Sequence, residues 1–261
     1  MLKQRITTAI IAVAVLAIVL FVVPPIVAEL FIAALVLAGA WEWSAFLGSR
    51  SLPVRLTFIA VIAALMVAVG LYWPDNVTLI LQLALVWWLV ALVWIFFFPT
   101  PIPIGLRWVC GALVLIPLYA ALVKLYQADP SLLLFALLIV WAADIGAYFT
   151  GKRFGRVKLA PSISPGKTWE GVIGGLLLVA ILTVARSFWV ETDLAVLVPF
   201  CLGVAGVSIV GDLTVSMFKR TAGVKDSGKL FPGHGGVLDR IDSVSAAAPV
   251  FALGLEWTGL I

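Results

Sequence analysis

The chain has 261 residues, of which 64% are hydrophobic and 11% charged, and its mean hydropathy is +1.20. Soluble domains are about 45–50% apolar, so this composition excludes an ordinary soluble domain and indicates a polytopic membrane protein. The net charge of +4 is small, and no recognition module accompanies the basic residues, which argues against a nucleic-acid partner. Cys110 and Cys201 lie in apolar runs far from any Cys or His, so neither is expected to bind a metal.

The apolar runs predict an all-α integral membrane protein with about nine transmembrane helices. A span needs about 20 mostly apolar residues. The first run is too long for the core of a signal peptide, and no Ala-x-Ala cleavage site follows it, so we interpret it as a retained span. The nine candidates are Ile6–Val23, Ile26–Leu47, Leu56–Trp73, Val77–Phe98, Trp108–Tyr126, Ser131–Thr150, Val172–Trp189, Leu194–Val215 and Val244–Leu260.

Lysine and arginine fall on one side of these predicted spans. The N-terminus and the loops after spans two, four, six and eight carry them, whereas only Lys124 lies near the opposite loops. Short loops that are rich in Lys and Arg remain in the cytoplasm. The pattern predicts a cytoplasmic N-terminus and a C-terminus on the outer, periplasmic side.

Charge is concentrated in two short segments, and one of them begins at the end of span eight. If this span continues as a helix, four residues share one of its faces: Asp212, Ser216, Lys219 and Arg220. A carboxylate one turn from a hydroxyl, followed by a basic pair, could hold a divalent cation with its phosphate ligand. The alternative is an ordinary helix end whose cations snorkel toward water.

The loop that follows span eight combines glycines, cations and carboxylates. Glycines let backbone N–H groups approach an anion closely, and here they are Gly223, Gly228, Gly233, Gly235 and Gly236. Lys225 and Lys229 add positive charge, while His234 could bind phosphate, transfer a proton or cap the turn. Asp239 and Asp242 would point the same way on a helix, with Arg240 between them. This combination predicts a phosphate-handling metal site.

The second charged segment runs from Asp144 to Glu170. Asp144 lies inside an apolar span, where an unpaired carboxylate is costly, so we expect a cation or metal partner for it. Just before span seven, Ser164, Lys167 and Thr168 supply hydroxyls, an ammonium group and a helix N-terminus, which favours phosphate binding. A Walker P-loop is excluded because the GxxxxGK[ST] spacing fails and no strand is expected before it.

Three groups of these residues form a familiar pattern. They are Ser216-x-Phe218-Lys219-Arg220, then Lys225-Asp226-x-Gly228, then His234-Gly235-Gly236-x-x-Asp239-Arg240-x-Asp242. The pattern closely resembles the signature of the phosphatidate cytidylyltransferases, or CDP-diacylglycerol synthases. The segments around Asp144 and Ser164–Gly171 look like the same family. The resemblance covers the C-terminal half, whereas the N-terminal spans agree only in hydrophobicity.

This resemblance implies that CMP is transferred from CTP to phosphatidic acid, giving CDP-diacylglycerol and pyrophosphate for phospholipid biosynthesis. It implies Mg²⁺ as cofactor, with room for a monovalent cation such as K⁺. Asp212 and Asp239 would be the chief metal ligands, supported by Asp144 and Asp242; Lys219 and Arg220 would complete the catalytic set. The nucleotide and phosphate would be held by Ser164, Lys167, Thr168, Ser216, Lys225, Lys229, His234, Gly235, Gly236 and Arg240.

The resemblance also implies a homodimer in the cytoplasmic (inner) membrane, with the active site facing the cytoplasm. We expect one polytopic domain over residues 1–261, with N-terminal spans in 1–130 and a catalytic half in 131–261. Two alternatives remain. A CTP-dependent lipid kinase would share the metal, the nucleotide and the membrane, whereas a transporter would place ionisable residues along a path at mid-membrane rather than at one face.

Overall fold

A computed structural model describes residues 2–49, 51–72, 76–228 and 235–258. Within these ranges the chain forms nine α-helices, one short 3₁₀-helix and a two-stranded antiparallel hairpin. The helices are α1 (Leu2–Phe21), α2 (Pro25–Trp43), α3 (Leu52–Tyr72), α4 (Val77–Phe97), α5 (Ile104–Ala128), α6 (Pro130–Phe154), α7 (Trp169–Arg186), α8 (Leu194–Thr221) and α9 (Leu238–Thr258). The 3₁₀-helix, Ser44–Phe46, extends α2, and strands β1 (Lys158–Ala160) and β2 (Ser164–Thr168) lie between α6 and α7.

The helices agree with the predicted spans, and seven of those described, α2 to α8, are long and apolar enough to cross a membrane. The predicted fold class, an all-α, multi-pass membrane protein, is therefore confirmed. The described apolar part of α1, Ile10–Phe21, is shorter than a full span, and α9 does not meet the same criterion. The count of nine spans and the sidedness of the termini stay predictions.

Two helix ends differ from the predicted spans in an informative way. α8 continues to Thr221, which confirms the helix on which the shared polar face depends. α7 ends at Arg186, although the predicted span reached Trp189. The reason is local, since the hydroxyl of Ser187 donates a hydrogen bond of 2.8 Å to the carbonyl of Val184 and so competes with the helical pattern.

The hairpin between α6 and α7 contradicts the expectation that no strand precedes Lys167. Ala160 pairs with Ser164, and the tip residue Ile163 is fully buried. The carbonyl of Ile163 accepts a hydrogen bond of 3.0 Å from Nε of Arg220 on α8. The hairpin is thereby held against α8, and β2 carries Lys167 toward the centre of the bundle.

α9 lies inside the helical bundle and packs against α4, α5, α6 and α8. Most of its residues are buried, and its middle is built from small side chains, Ser243, Ser245 and the run from Ala246 to Ala248. Small residues let helices in membranes approach closely. Because α9 is enclosed by protein, it does not need the strong hydropathy of a lipid-facing span. This explains why α9 is not among the seven helices that are apolar enough to cross a membrane.

Gly211 on α8 sets the distance between α8 and α9. A Cβ atom there would lie 2.6 Å from the carbonyl oxygen of Asp242. We expect Gly211→Ala to destabilise the protein by about 1–3 kcal/mol through overpacking, seen as a lower melting temperature in detergent. Gly203 on the same helix has open space around its Cβ position, so Gly203→Ala should leave the melting temperature unchanged or raise it. Equal effects of the two changes would contradict this packing account.

Candidate active site

Two ion pairs connect the hairpin, α8 and the start of α9. The ammonium group of Lys167 on β2 contacts the Oδ2 atom of Asp212 on α8. About two turns later on α8, Nζ of Lys219 lies 2.8 Å from Oδ1 of Asp239 and 3.7 Å from Oδ2 of Asp242. Two lysines and three carboxylates from distant parts of the chain thus form one charge network.

The predicted polar face of α8 is confirmed for three of its four residues. Ser216 donates a hydrogen bond of 3.1 Å from its hydroxyl to Oδ1 of Asp212, and Lys219 is only 7% exposed. Arg220 is exposed instead, and its guanidinium group donates to the carbonyls of Ile163 and Val224. The structure thus gives Arg220 a role in holding the hairpin, whereas its predicted contact with phosphate stays a prediction.

The first turn of α9 directs Asp239 and Asp242 toward Lys219, as their spacing predicted. Burial would raise the pKa of the Asp239 carboxyl, but hydrogen bonds from Lys219 and from the N–H group of Gly236 outweigh it and hold that pKa below its ordinary value. Asp242 is more deeply buried. Burial first, and then the neighbouring Asp212 carboxylate, raise the pKa of Asp242 well above its ordinary value.

A cavity of about 330 Å³ adjoins this network between α6, α7, α8 and β2. Asp144, Lys167 and Thr168 form part of its wall, and apolar side chains form much of the rest: Leu159, Val172, Leu176, Ala205 and Ile209. Asp144 lies within electrostatic reach of Lys167, Asp212 and Arg240. The cation partner that the sequence led us to expect for Asp144 is therefore nearby. The cavity has the size of a small ligand pocket.

The remaining predicted residues are less closely joined to the network. Thr168 is buried, and its hydroxyl accepts a hydrogen bond from the N–H group of Gly171, so it caps α7. Ser164 is half-buried on β2, and Lys225 is exposed after α8. Gly235 has a φ of 81°, and Gly236 donates its N–H group to Asp239. Lys229 and His234 lie outside the described residues.

Within the described part of the chain, no three or more His, Cys, Asp or Glu side chains form a ready-made metal site. Mg²⁺ commonly takes only one or two protein carboxylates and completes its coordination with substrate phosphates and water. Asp212 and Asp239 suit that chemistry, because each carboxylate already holds a lysine ammonium and so lies where positive charge is favoured. The donor set fits a cation that enters together with a phosphorylated substrate.

Glu42 is a residue of this region that the sequence analysis missed. It lies near the end of α2, is 7% exposed, and contacts the loop that joins α8 to α9. A signal was present, because an ionisable residue inside an apolar span marks a functional site by default. Glu42, like Asp144, meets that description.

Comparisons with known proteins find similarity over nearly the whole chain. Residues 3–257 match a family model described as the cytidylyltransferase family. The chain is 46% identical to a phosphatidate cytidylyltransferase of Pseudomonas aeruginosa, over 98% of this chain and 97% of that protein. It is 37% identical to one of Haemophilus influenzae, over 97% and 98%. The similarity therefore includes the N-terminal spans, which contain none of the sequence motifs described above.

Proposed function

The chain belongs to the cytidylyltransferase family, and from this premise we propose that it transfers CMP from CTP to phosphatidic acid. The products would be CDP-diacylglycerol and pyrophosphate. The observation that carries the proposal is the network in which Lys167 and Lys219 neutralise Asp212, Asp239 and Asp242 beside a partly apolar cavity. Full-length relatives that are named phosphatidate cytidylyltransferases support this choice of substrates.

The reaction requires positioning and charge neutralisation more than covalent chemistry. A phosphate oxygen of the lipid attacks the α-phosphorus of CTP, and the bond from that phosphorus to the oxygen bridging to the β-phosphate breaks, releasing pyrophosphate. Phosphoryl-type transfers are accelerated mainly by orientation and by groups that stabilise charge on the transferring oxygens. Lys219 is buried and Lys167 is half-buried, and both cations suit that task. Arg240 follows Asp239 directly and Lys225 follows Lys219 by six residues, so we propose that they assist.

Bound Mg²⁺ would supply positive charge against the triphosphate as pyrophosphate departs. Asp212 and Asp239 would hold it, with Asp144 and Asp242 in support, and a monovalent cation such as K⁺ could occupy a second position. Burial first, and then repulsion by the neighbouring Asp212 carboxylate, raises the pKa of Asp242. A cation between such groups relieves that repulsion.

The cavity suits a lipid phosphate because its walls differ in polarity. Its lining includes the charged side chains of Asp144 and Lys167 and the apolar side chains of Val172, Leu176 and Ile209. Phosphatidate could keep its acyl chains in the membrane while its headgroup reaches the charge network. We propose a homodimer in the cytoplasmic membrane with this site facing the cytoplasm, because CTP is supplied from that side.

A CTP-dependent lipid kinase is the second candidate, because it would use the same nucleotide, metal and membrane setting. The two reactions differ in which phosphorus reaches the lipid. Purified protein with phosphatidate, Mg²⁺ and CTP labelled at the α-phosphorus should give labelled lipid and free pyrophosphate. Chelation of divalent cations with EDTA should abolish the labelling, and added Mg²⁺ should restore it. A lipid kinase would instead leave this label in CDP, and with a polyprenol and CTP labelled at the γ-phosphorus it would label that alcohol.

A further inference from the structure

Glu42 belongs to the N-terminal half, yet its carboxylate is buried against the loop that precedes α9. It lies in the membrane span that comprises α2 and the 3₁₀-helix, Pro25–Phe46, and is 7% exposed. A buried carboxylate is costly unless its oxygens receive hydrogen bonds. The position of Glu42 therefore has to be explained by its partners.

All of the hydrogen bonds described for Glu42 come from the two ends of this loop. Oε1 accepts from the N–H group of Val237 at 3.0 Å, and Oε2 accepts from that of Leu238 at 2.8 Å. The hydroxyl of Ser227, at the other end of the loop, donates to Oε2 at 2.7 Å. Glu42 thus satisfies N–H groups at the start of α9, where a helix has no internal acceptors and favours negative charge.

Asp239 binds the same two loop ends as Glu42. Its Oδ2 atom accepts from the N–H groups of Ser227 at 2.9 Å and of Gly236 at 3.0 Å, while Oδ1 receives Lys219. Ser227 is shared, because its hydroxyl binds Glu42 and its N–H group binds Asp239. The orientation of the Asp239 carboxylate therefore depends on a loop geometry that Glu42 also holds.

Two glycines of the loop are required by this contact. A Cβ atom at Gly228 or at Gly236 would collide with the Glu42 carboxylate. The sequence pattern predicts that the backbone approaches an anion at these glycines. Here the anion that both approach is the carboxylate of Glu42, which comes from the chain itself.

We propose that Glu42 is a positioning residue that fixes the two described ends of the loop, Ser227–Gly228 and Gly235–Leu238, so that Asp239 is held in its productive orientation. Glu42 does not touch the charge network directly. It acts through Ser227 and the first N–H groups of α9. The kinetic consequence rests on the proposed function, whereas the effect on the loop does not.

Glu42→Gln tests this inference, because it keeps the shape but replaces one acceptor oxygen by an NH₂ group that cannot accept. We expect backbone amides in 225–240 to exchange hydrogen for deuterium at least 10-fold faster, and those in α3 to α6 to remain unchanged. We also expect kcat to fall by about 10- to 100-fold, since small misplacements of catalytic groups cost that much. Glu29→Gln on the same helix is the control, because the one hydrogen bond to Glu29 within the described part of the chain is exposed and comes from Gln127.

Ser227→Ala provides a milder variant that removes only the hydroxyl bond to Glu42 and keeps the N–H bond to Asp239. It should raise exchange in the same segment without lowering the melting temperature, and it decides the question if Glu42→Gln does not fold. Unchanged exchange in 225–240, or faster exchange spread over all helices, would overturn the proposal. If the wild type shows no cytidylyl transfer, the proposed function fails while the exchange comparison still stands.

Discussion

Replacing Asp239 with asparagine is expected to lower turnover by about 10³-fold, the scale of losing a group that stabilises transition-state charge. The Asp239 carboxylate accepts hydrogen bonds from Lys219, from Ser227 and from Gly236. Asparagine keeps one oxygen but loses the negative charge that Lys219 and a divalent cation require. Turnover of CTP with phosphatidate should be measured on protein whose melting temperature and size-exclusion profile show that it is folded.

Asp193→Asn is a matched control for this change. Asp193 caps α8 at the end far from the network, where its carboxylate accepts from the N–H group of Ala195 at 2.8 Å. Asparagine caps helices about as well as aspartate, so activity and stability should both be retained. Near-normal turnover in Asp239→Asn would remove Asp239 from the proposed metal ligands.

Lys167→Gln is expected to lower kcat/KM for CTP by about 100-fold, because one preorganised cation is lost where phosphate charge must be stabilised. Lys167 lines the cavity, contacts Asp212 and lies within electrostatic reach of Asp144. Without its ammonium group, these two carboxylates would repel a triphosphate rather than share a cation with it. Steady-state kinetics with varied CTP would measure the loss.

Lys158→Gln tests whether that loss is specific to the network. Lys158 lies on β1, the strand paired with β2, and its side chain is exposed. It has the same charge and lies on the same hairpin as Lys167, but it does not line the cavity. We expect little change in kcat/KM, and a similar decrease in both variants would mean that the hairpin's overall charge, rather than Lys167 itself, is what matters.

The helices and part of the charge network were predictable from the sequence because they depend on local patterns. A run of about 20 apolar residues is enough to predict a span. The continuation of α8 and the i, i+3 spacing of Asp239 and Asp242 were enough to place their side chains on common faces. The pairing of Lys167 with Asp212 was not predictable in this way, because it joins a hairpin and a helix 45 positions apart.

Two features escaped prediction for physical reasons, and α9, predicted as the ninth span, does not meet the hydropathy criterion for one. The β1–β2 hairpin is short and includes Pro165 and Gly166, so no alternation of apolar and polar residues indicates a strand. Its stability comes from tertiary contacts such as the bond from Arg220 to Ile163. α9 lacks the hydropathy of a span because protein rather than lipid surrounds it. Glu42 makes its contacts with residues 185 to 196 positions away, which no local pattern reveals.

The most direct test of the whole account compares wild-type protein with Asp239→Asn, both purified in detergent and shown to be folded. Each is incubated with phosphatidate, Mg²⁺ and CTP labelled at the α-phosphorus, and lipid and aqueous products are separated. We predict labelled CDP-diacylglycerol and pyrophosphate from the wild type, and almost none from Asp239→Asn. Equal labelling by both proteins would contradict the assigned site, and folded wild type that leaves no label in the lipid would contradict the proposed function.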